Sequence, residues 1–378
     1  SASRGFGECA DECAGRPRRR IAGCRRHVSE RMECATKNWQ RIELGQNVTL
    51  HTLARVADVL GVHPSELIPE PAEETPSPNT RQEASTPAAA RASTEPDAST
   101  MEDAGVGAVP EPPTATCPAT SALEAGDTRD SLDVAGTRRT YVVHIPSSYD
   151  GETPMPLLFD MHGLFGSGMG QLRGSGTAAV ADREGFIAVY PDGIDNAWNV
   201  GPCCTFDRDV DDVGFMRALV DKLRSEVCVD ETRVYATGVS MGGGMSHYLA
   251  CEAAETFAAV APAAFDLLEE QDCQPSRPIS VLSSRGTSDR IVPYAGGASN
   301  PPNGLRTTIH FLGAERTFEA WARINGCTGS PSSSYDGCET YTECDNGVET
   351  TLCTAQGGGH TYGDPERAWE MLSKYRLP

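Results

Sequence analysis

The stretch Arg233–Cys251, RVYATGVSMGGGMSHYLAC, constrains the fold of this chain more than any other. It reads as a short strand over Val234–Thr237, a sharp glycine turn, and a helix beginning near Met241. The turn is Gly238-Val239-Ser240-Met241-Gly242, a G-x-S-x-G sequence, and its strand–turn–helix setting is what makes such a motif informative. A nucleophile at the tip of an elbow sits in strained backbone, so its close neighbours must lack side chains. Gly238 and Gly242 meet that need, and Gly243 and Gly244 lighten the helix start. Ser240 at a helix N-terminus also has backbone N–H groups and the helix dipole aimed at any oxyanion formed there. The bland alternative is a glycine turn with an incidental serine, and the strand and helix on either side argue against it.

Around this elbow, strands and helices alternate from Arg138 to the end of the 378 residues. Strands are expected at Thr140–Ile145, Pro156–Met161, Phe186–Tyr190, near Phe257–Ala261, at Ile279–Ser283 and at Val348–Thr354. Helices are expected around Thr177–Glu184, Val213–Val227, Ala314–Asn325 and Pro365–Tyr375. Alternation with apolar strands predicts an α/β fold, a mostly parallel sheet with helices on both faces. Active sites on such sheets gather at the carboxyl ends of the strands.

Two later loops supply partners for Ser240 in the chain order serine, acid, histidine. The strand Ile279–Ser283 leads into Arg285-Gly286-Thr287-Ser288-Asp289, where a carboxylate can orient a histidine. The strand Val348–Thr354 leads into Gly357-Gly358-Gly359-His360-Thr361-Tyr362-Gly363, where three glycines let the loop bend the imidazole toward the elbow. His360 would then take the proton from Ser240 while Asp289 holds its tautomer. A lone histidine is usually structural; a histidine in a glycine loop at this place in the order has a stronger claim to chemistry. The oxyanion hole needs two backbone donors, expected from Met241 and from Leu164 in the His162-Gly163-Leu164 turn after the strand Pro156–Met161. The bland alternative is a tight turn only, and its position after this strand argues for the donor role.

Several motifs then occur in order: FDMHGLFGSG, AVYPDG, AWNVGPCC, DVDDVGFMRALVDKL, the elbow stretch extended to Ala264, RGTSDRIVPYAGG and GGGHTYG. Together they resemble the secreted feruloyl esterase / polyhydroxybutyrate depolymerase group of α/β-hydrolases over about residues 138–378. The resemblance implies an α/β-hydrolase fold, the catalytic residues Ser240, Asp289 and His360, and the oxyanion donors Leu164 and Met241. It also implies Trp198 as a loop aromatic near the substrate, with a core tryptophan as its bland alternative, and His162 and Tyr362 as further substrate contacts. Two departures bear on specificity. The group's G-G-G-H-x-W-P-G ends here in Tyr362-Gly363, and Met241 replaces the frequent Asn after the nucleophile. The implied activity is a serine esterase acting on feruloyl, aryl or short acyl esters, with no cofactor and no metal. Polyhydroxyalkanoate or aromatic polyester depolymerisation is the alternative.

Charge and cysteines set the setting. Lys plus Arg number 32 against 53 Asp plus Glu, for a net charge of −21. Such a surface disfavours polyanions, so nucleic acid is not the expected partner. An ester substrate is expected instead, with the chain a monomer. Ten of the 14 cysteines fall from Cys117 onward. Without C-x-x-C pairs or Cys/His ligand spacing they read as disulfides and an oxidising, extracellular compartment, paired mostly within a group from Cys203 to Cys273 and another from Cys327 to Cys353. No apolar run reaches the ~18 residues of a membrane span, and the N-terminus as written lacks the apolar core of a signal peptide.

The first part of the chain is read separately. Residues 1–27 are Arg- and Cys-rich and carry no assigned structure. Residues 28–69 place Leu53, Val56, Ala57, Val59 and Leu60 at helical spacing. Their stretch QRIELGQNVTLHTLARVADVLGV resembles the later helices of phage-repressor (Cro-like) helix-turn-helix domains, which would put Thr36, Lys37, Asn38 and Gln40 on or beside a recognition helix. The counterpart of the first helix is missing, so the segment is read as a small helical remnant. DNA-binding regulation is the competing function of another class, and a non-catalytic hydrolase scaffold is a third. Residues 70–136, rich in Pro, Ala, Ser, Thr and Glu, are expected to be a disordered linker ahead of the catalytic domain 137–378.

Overall fold

The computed structural model describes residues 117–378 apart from 202, 204–208 and 300–307. The helix-turn-helix-like segment, and the expected linker as far as residue 116, lie outside the described residues.

Ten strands form one sheet. In chain order they begin with β1 (Gly126–Val134), β2 (Thr137–Ile145), β3 (Met155–Met161), β4 (Ile187–Pro191), β5 (Val229–Val239), β6 (Ala259–Ala263) and β7 (Ser280–Gly286). A separate two-stranded ribbon pairs β8 (Gly297–Ser299) with β9 (Ile309–Phe311), and the large sheet is completed by β10 (Ser332–Ser333), β11 (Cys338–Tyr341) and β12 (Thr350–Ala355). The order across the large sheet is β1-β2-β4-β3-β5-β6-β7-β12-β11-β10. The six strands from β4 to β12 run parallel, and antiparallel strands flank them on both sides.

Among the described residues six α-helices accompany the sheet: α1 (Gly168–Gly174), α2 (Thr177–Glu184), α3 (Asp212–Glu226), α4 (Met241–Glu252), α5 (Ala314–Ile324) and α6 (Pro365–Leu372). Successive strand residues point to opposite faces, and both faces are covered. Phe159 and Val234 pack on one side with Phe215 and Leu219 of α3, Met245 of α4 and Trp321 of α5. Leu158 and Tyr235 pack on the other with Val180 of α2 and Trp369 of α6. This two-sided burial is why the central strands read as unbroken apolar runs. Helix ends follow local chemistry: Asp211 caps α3 by accepting from the Gly214 N–H at 2.7 Å, and Asp364 caps α6 ahead of Pro365.

One boundary expectation is corrected. β1 lies within the stretch expected to be a disordered linker, yet it pairs with β2 over its whole length. Its sequence GDTRDSLDV is largely polar because it is an edge strand with much of one face in water. Cys117, also from the expected linker, is bonded to Cys228. That pairing departs from the expected grouping, whereas Cys251–Cys273, Cys327–Cys344 and Cys338–Cys353 follow it. Because Cys117–Cys228 closes a long loop, replacing both cysteines with serine in the full chain should cost about 2–5 kcal/mol of stability. Chemical denaturation is the check, and an unchanged midpoint would mean that β1 pairing alone secures this edge.

Candidate active site

The end of β5 and the start of α4 form the elbow. Ser240 sits at φ 56°, ψ −123°, in a region that L residues rarely occupy. Its N–H donates to the Ala263 carbonyl at 2.9 Å, and its carbonyl accepts from the Gly244 N–H at 2.9 Å. The glycines have a packing reason. A Cβ on Gly238 would lie 2.6 Å from the Met161 carbonyl oxygen, and one on Gly242 would lie closer still to the same atom. Helix α4 thus rests directly on the end of β3, which also brings Gly163 beside Ser240: a Cβ on Gly163 would meet the Ser240 Cβ at 3.2 Å.

Asp289 and His360 are brought together. The His360 Nδ1 lies 2.8 Å from the Asp289 Oδ2, while the Asp289 Oδ1 accepts from the N–H groups of Ile291 at 2.9 Å and Val292 at 3.0 Å. Burial alone would raise the Asp289 carboxyl. The hydrogen bond from His360 and the Val292 and Ile291 amides outweigh it and hold the group below its usual range, ionised at neutral pH. Their two loops are sewn to each other: the Ser288 N–H donates to the Gly358 carbonyl at 2.8 Å, and the Gly357 N–H to the Thr287 Oγ1 at 2.8 Å. The His360 loop also reaches the elbow, since Gly238 and Val239 line one small cavity with Tyr362, Gly363 and the buried Asp160.

The turn after β3 presents Leu164. Its flanking amides are engaged, Phe165 N–H with the Asn196 carbonyl at 2.8 Å and Gly166 N–H with the Gly163 carbonyl at 2.9 Å. The N–H groups of Leu164 and Met241 meet no acceptor among the described residues.

Two expected substrate contacts are corrected. Trp198 is fully buried, with its indole N–H donating to the His162 carbonyl at 2.9 Å. His162 is buried against the Trp198 ring with centroids 4.8 Å apart. Its Nε2 accepts from the Gly193 N–H at 3.0 Å, which leaves Nδ1 to donate to the Gly163 carbonyl at 2.8 Å. Burial also disfavours its charged form. The pair is therefore a prop that fixes the exit of β3, and neither side chain is open to substrate. Tyr362 remains exposed, and so do Phe165, next to Leu164, and Ile291, two residues from Asp289, each 50% exposed and neither singled out from the sequence. Their signal was only position, one or two residues from a candidate group. Among the described residues no set of three or more His, Cys, Asp or Glu side chains is arranged to hold a metal, and no helix is long and apolar enough to cross a membrane.

A parallel sheet with a strained strand–turn–helix serine, and an acid and a histidine on later loops at the carboxyl ends of β7 and β12, defines an α/β-hydrolase. The chain is 44% identical to feruloyl esterase B of Piromyces equi over 64% of its own length and 46% of that protein, so it spans about half of that relative. It is 34% identical to the putative esterase NocK of Nocardia uniformis subsp. tsuyamanensis, over 63% of this chain and 75% of that one. It is 30% identical to feruloyl esterase C of Emericella nidulans, over 53% of this chain and 71% of that one. No protein-family model matches. Among solved structures, acetyl xylan esterase from Aspergillus awamori aligns with a TM-score of 0.48 at 16% identity, over 65% of this chain and 99% of that one; the fold assignment rests on the topology above. The chain belongs to the esterase family represented by NocK and feruloyl esterase C.

Proposed function

We propose that the chain hydrolyses feruloyl-type aryl esters and short acyl esters outside the cell, through an acyl-enzyme on Ser240. His360 Nε2 takes the Ser240 hydroxyl proton as Oγ attacks the ester carbonyl carbon. The carbonyl oxygen becomes an oxyanion facing the Leu164 and Met241 N–H groups. Collapse expels the alcohol, which leaves with the proton from His360. Water then attacks the acyl carbon and gives a proton to His360; the Oγ–acyl bond breaks, His360 returns that proton to Oγ, and the acid leaves. The observation that carries this reading is the Asp289–His360 hydrogen bond, on a His360 loop that reaches the elbow.

The apolar side chains of Phe165, Ile291 and Tyr362, one on each loop beside a proposed catalytic group, suit an aryl or apolar acyl chain. Two of the relatives named above are feruloyl esterases. The polyester and DNA-binding alternatives have no counterpart among those three. The disulfides of the described domain support an oxidising compartment.

A panel of methyl ferulate, p-nitrophenyl acetate and butyrate, and aliphatic polyester film tests the substrate class. Turnover of methyl ferulate and the small esters, well above release from film, is expected. Faster release from film than from any soluble ester would reverse the ranking.

A further inference from the structure

Next to Asp289 lies a buried charge pair that the reaction above does not use. Arg285, in the last turn-ward residues of β7, and Asp266, just beyond β6, are both almost wholly buried. Arg285 Nη1 stands 2.6 Å from Asp266 Oδ1. Removing two such charges from water costs several kcal/mol each, and apolar residues of similar volume often serve stability as well. Packing alone therefore gives a weak reason for this pair. Burial pushes the Asp266 carboxyl up to about 7 against the pull of Arg285, and the Asp289 charge adds to the rise.

Arg285 makes one further bond. Its Nη2 donates to the Val292 carbonyl at 2.8 Å. Val292 is the residue whose N–H, with that of Ile291, holds Asp289 Oδ1, leaving Oδ2 for His360 Nδ1. An ion pair from Asp266 to Arg285, then hydrogen bonds through Val292 and Asp289, therefore lead to His360. A planar guanidinium can grip a carboxylate with one nitrogen and a carbonyl with another, at fixed angles, which an ammonium cannot do.

We propose that Arg285, anchored by Asp266, is a positioning residue that holds the Ile291–Val292 segment so that Asp289 presents Oδ2 to His360. The proposal rests on the Ser240–His360–Asp289 reading. Arg285 touches neither substrate nor the reacting atoms, so its loss should act on kcat and leave KM alone. A displacement of about 1 Å in such a support can cost on the order of 10²-fold in rate.

The test separates positioning from stability. Arg285→Met alone strands Asp266 and should destabilise the fold. Asp266→Leu/Arg285→Met removes both charges and should recover the Tm, yet keep kcat for p-nitrophenyl butyrate down by on the order of 10²-fold with KM within about twofold. In the same variant, the far-downfield proton NMR signal of the His360–Asp289 hydrogen bond should move upfield or vanish. If the double variant does not fold, Arg285→Lys serves: it keeps a charge for Asp266 but lacks the fork, so a near-native Tm with a reduced kcat is expected. A folded variant of either kind with native kcat and an unchanged downfield signal overturns the proposal. Asp289→Asn in the native background tells the two readings apart. If it too keeps native kcat, the catalytic reading itself has failed; if only Asp289→Asn is slow, the positioning role alone is wrong.

Discussion

Ser240→Ala is expected to lower kcat for a soluble aryl ester by roughly 10⁶-fold, and His360→Ala by about as much. The reason is that nucleophile and base act in one step: without the imidazole the hydroxyl is a poor nucleophile, and without the hydroxyl the imidazole has no proton to move. Asp289→Asn should cost less, roughly 10⁴-fold, since orientation of His360 is weakened while the base remains. Asp289 is positioned for that role by its 2.8 Å contact with His360 and by two amides on its other oxygen. The losses should not add. Ser240→Ala/His360→Ala should be no slower than either single variant to within a few-fold, because residual turnover then comes from binding and the Leu164 and Met241 amides. A double variant far slower than both singles would mean that the two residues work independently, and the triad would be wrong.

The second large effect is expected from one methyl group. Gly242→Ala should remove most folded, active enzyme, at a cost of about 4–5 kcal/mol or more, in the range reserved for severe core clashes. The new Cβ would fall on the Met161 carbonyl, which is backbone of β3 and cannot swing aside. Retreat of α4 would also move Ser240 and Met241 away from Leu164. Gly359→Ala is the control. It lies one residue before His360, but no atom comes within 4 Å of its added Cβ and its φ is ordinary, so stability should change by no more than about 0.5 kcal/mol. Thermal unfolding and kcat measured on both variants decide the matter. A well-folded, active Gly242→Ala enzyme would contradict the tight approach of α4 to β3.

These glycines show what the sequence carried and what it could not. The elbow, the central strands and the loops that bring Asp289 to His360 were legible because parallel strands buried on both faces are continuous apolar runs, and these loops follow them directly. The packing reason for Gly242 and Gly243 was not: Gly242 was read as giving room beside a strained nucleophile and Gly243 as lightening the helix start, whereas they admit the backbones of β3 and β6. β1 was missed because an edge strand such as GDTRDSLDV owes its form to pairing with β2 rather than to apolar alternation. Trp198 and His162 were misplaced because an aromatic in a loop beside a catalytic turn reads the same whether it faces substrate or props the turn from behind. Arg285 did carry a signal, a cation ending the strand SVLSSRG. Its partner Asp266 is distant in sequence, and only the folded sheet brings them together.

The central claim is that Ser240 is the atom that becomes acylated. Intact-mass measurement after treatment with a fluorophosphonate tests this most directly, with peptide mapping of the adduct. One equivalent of label on Ser240, absent from Ser240→Ala and greatly slowed in His360→Ala, is the predicted result. Stoichiometric labelling of another residue in the native enzyme, or undiminished labelling of Ser240→Ala, would contradict it.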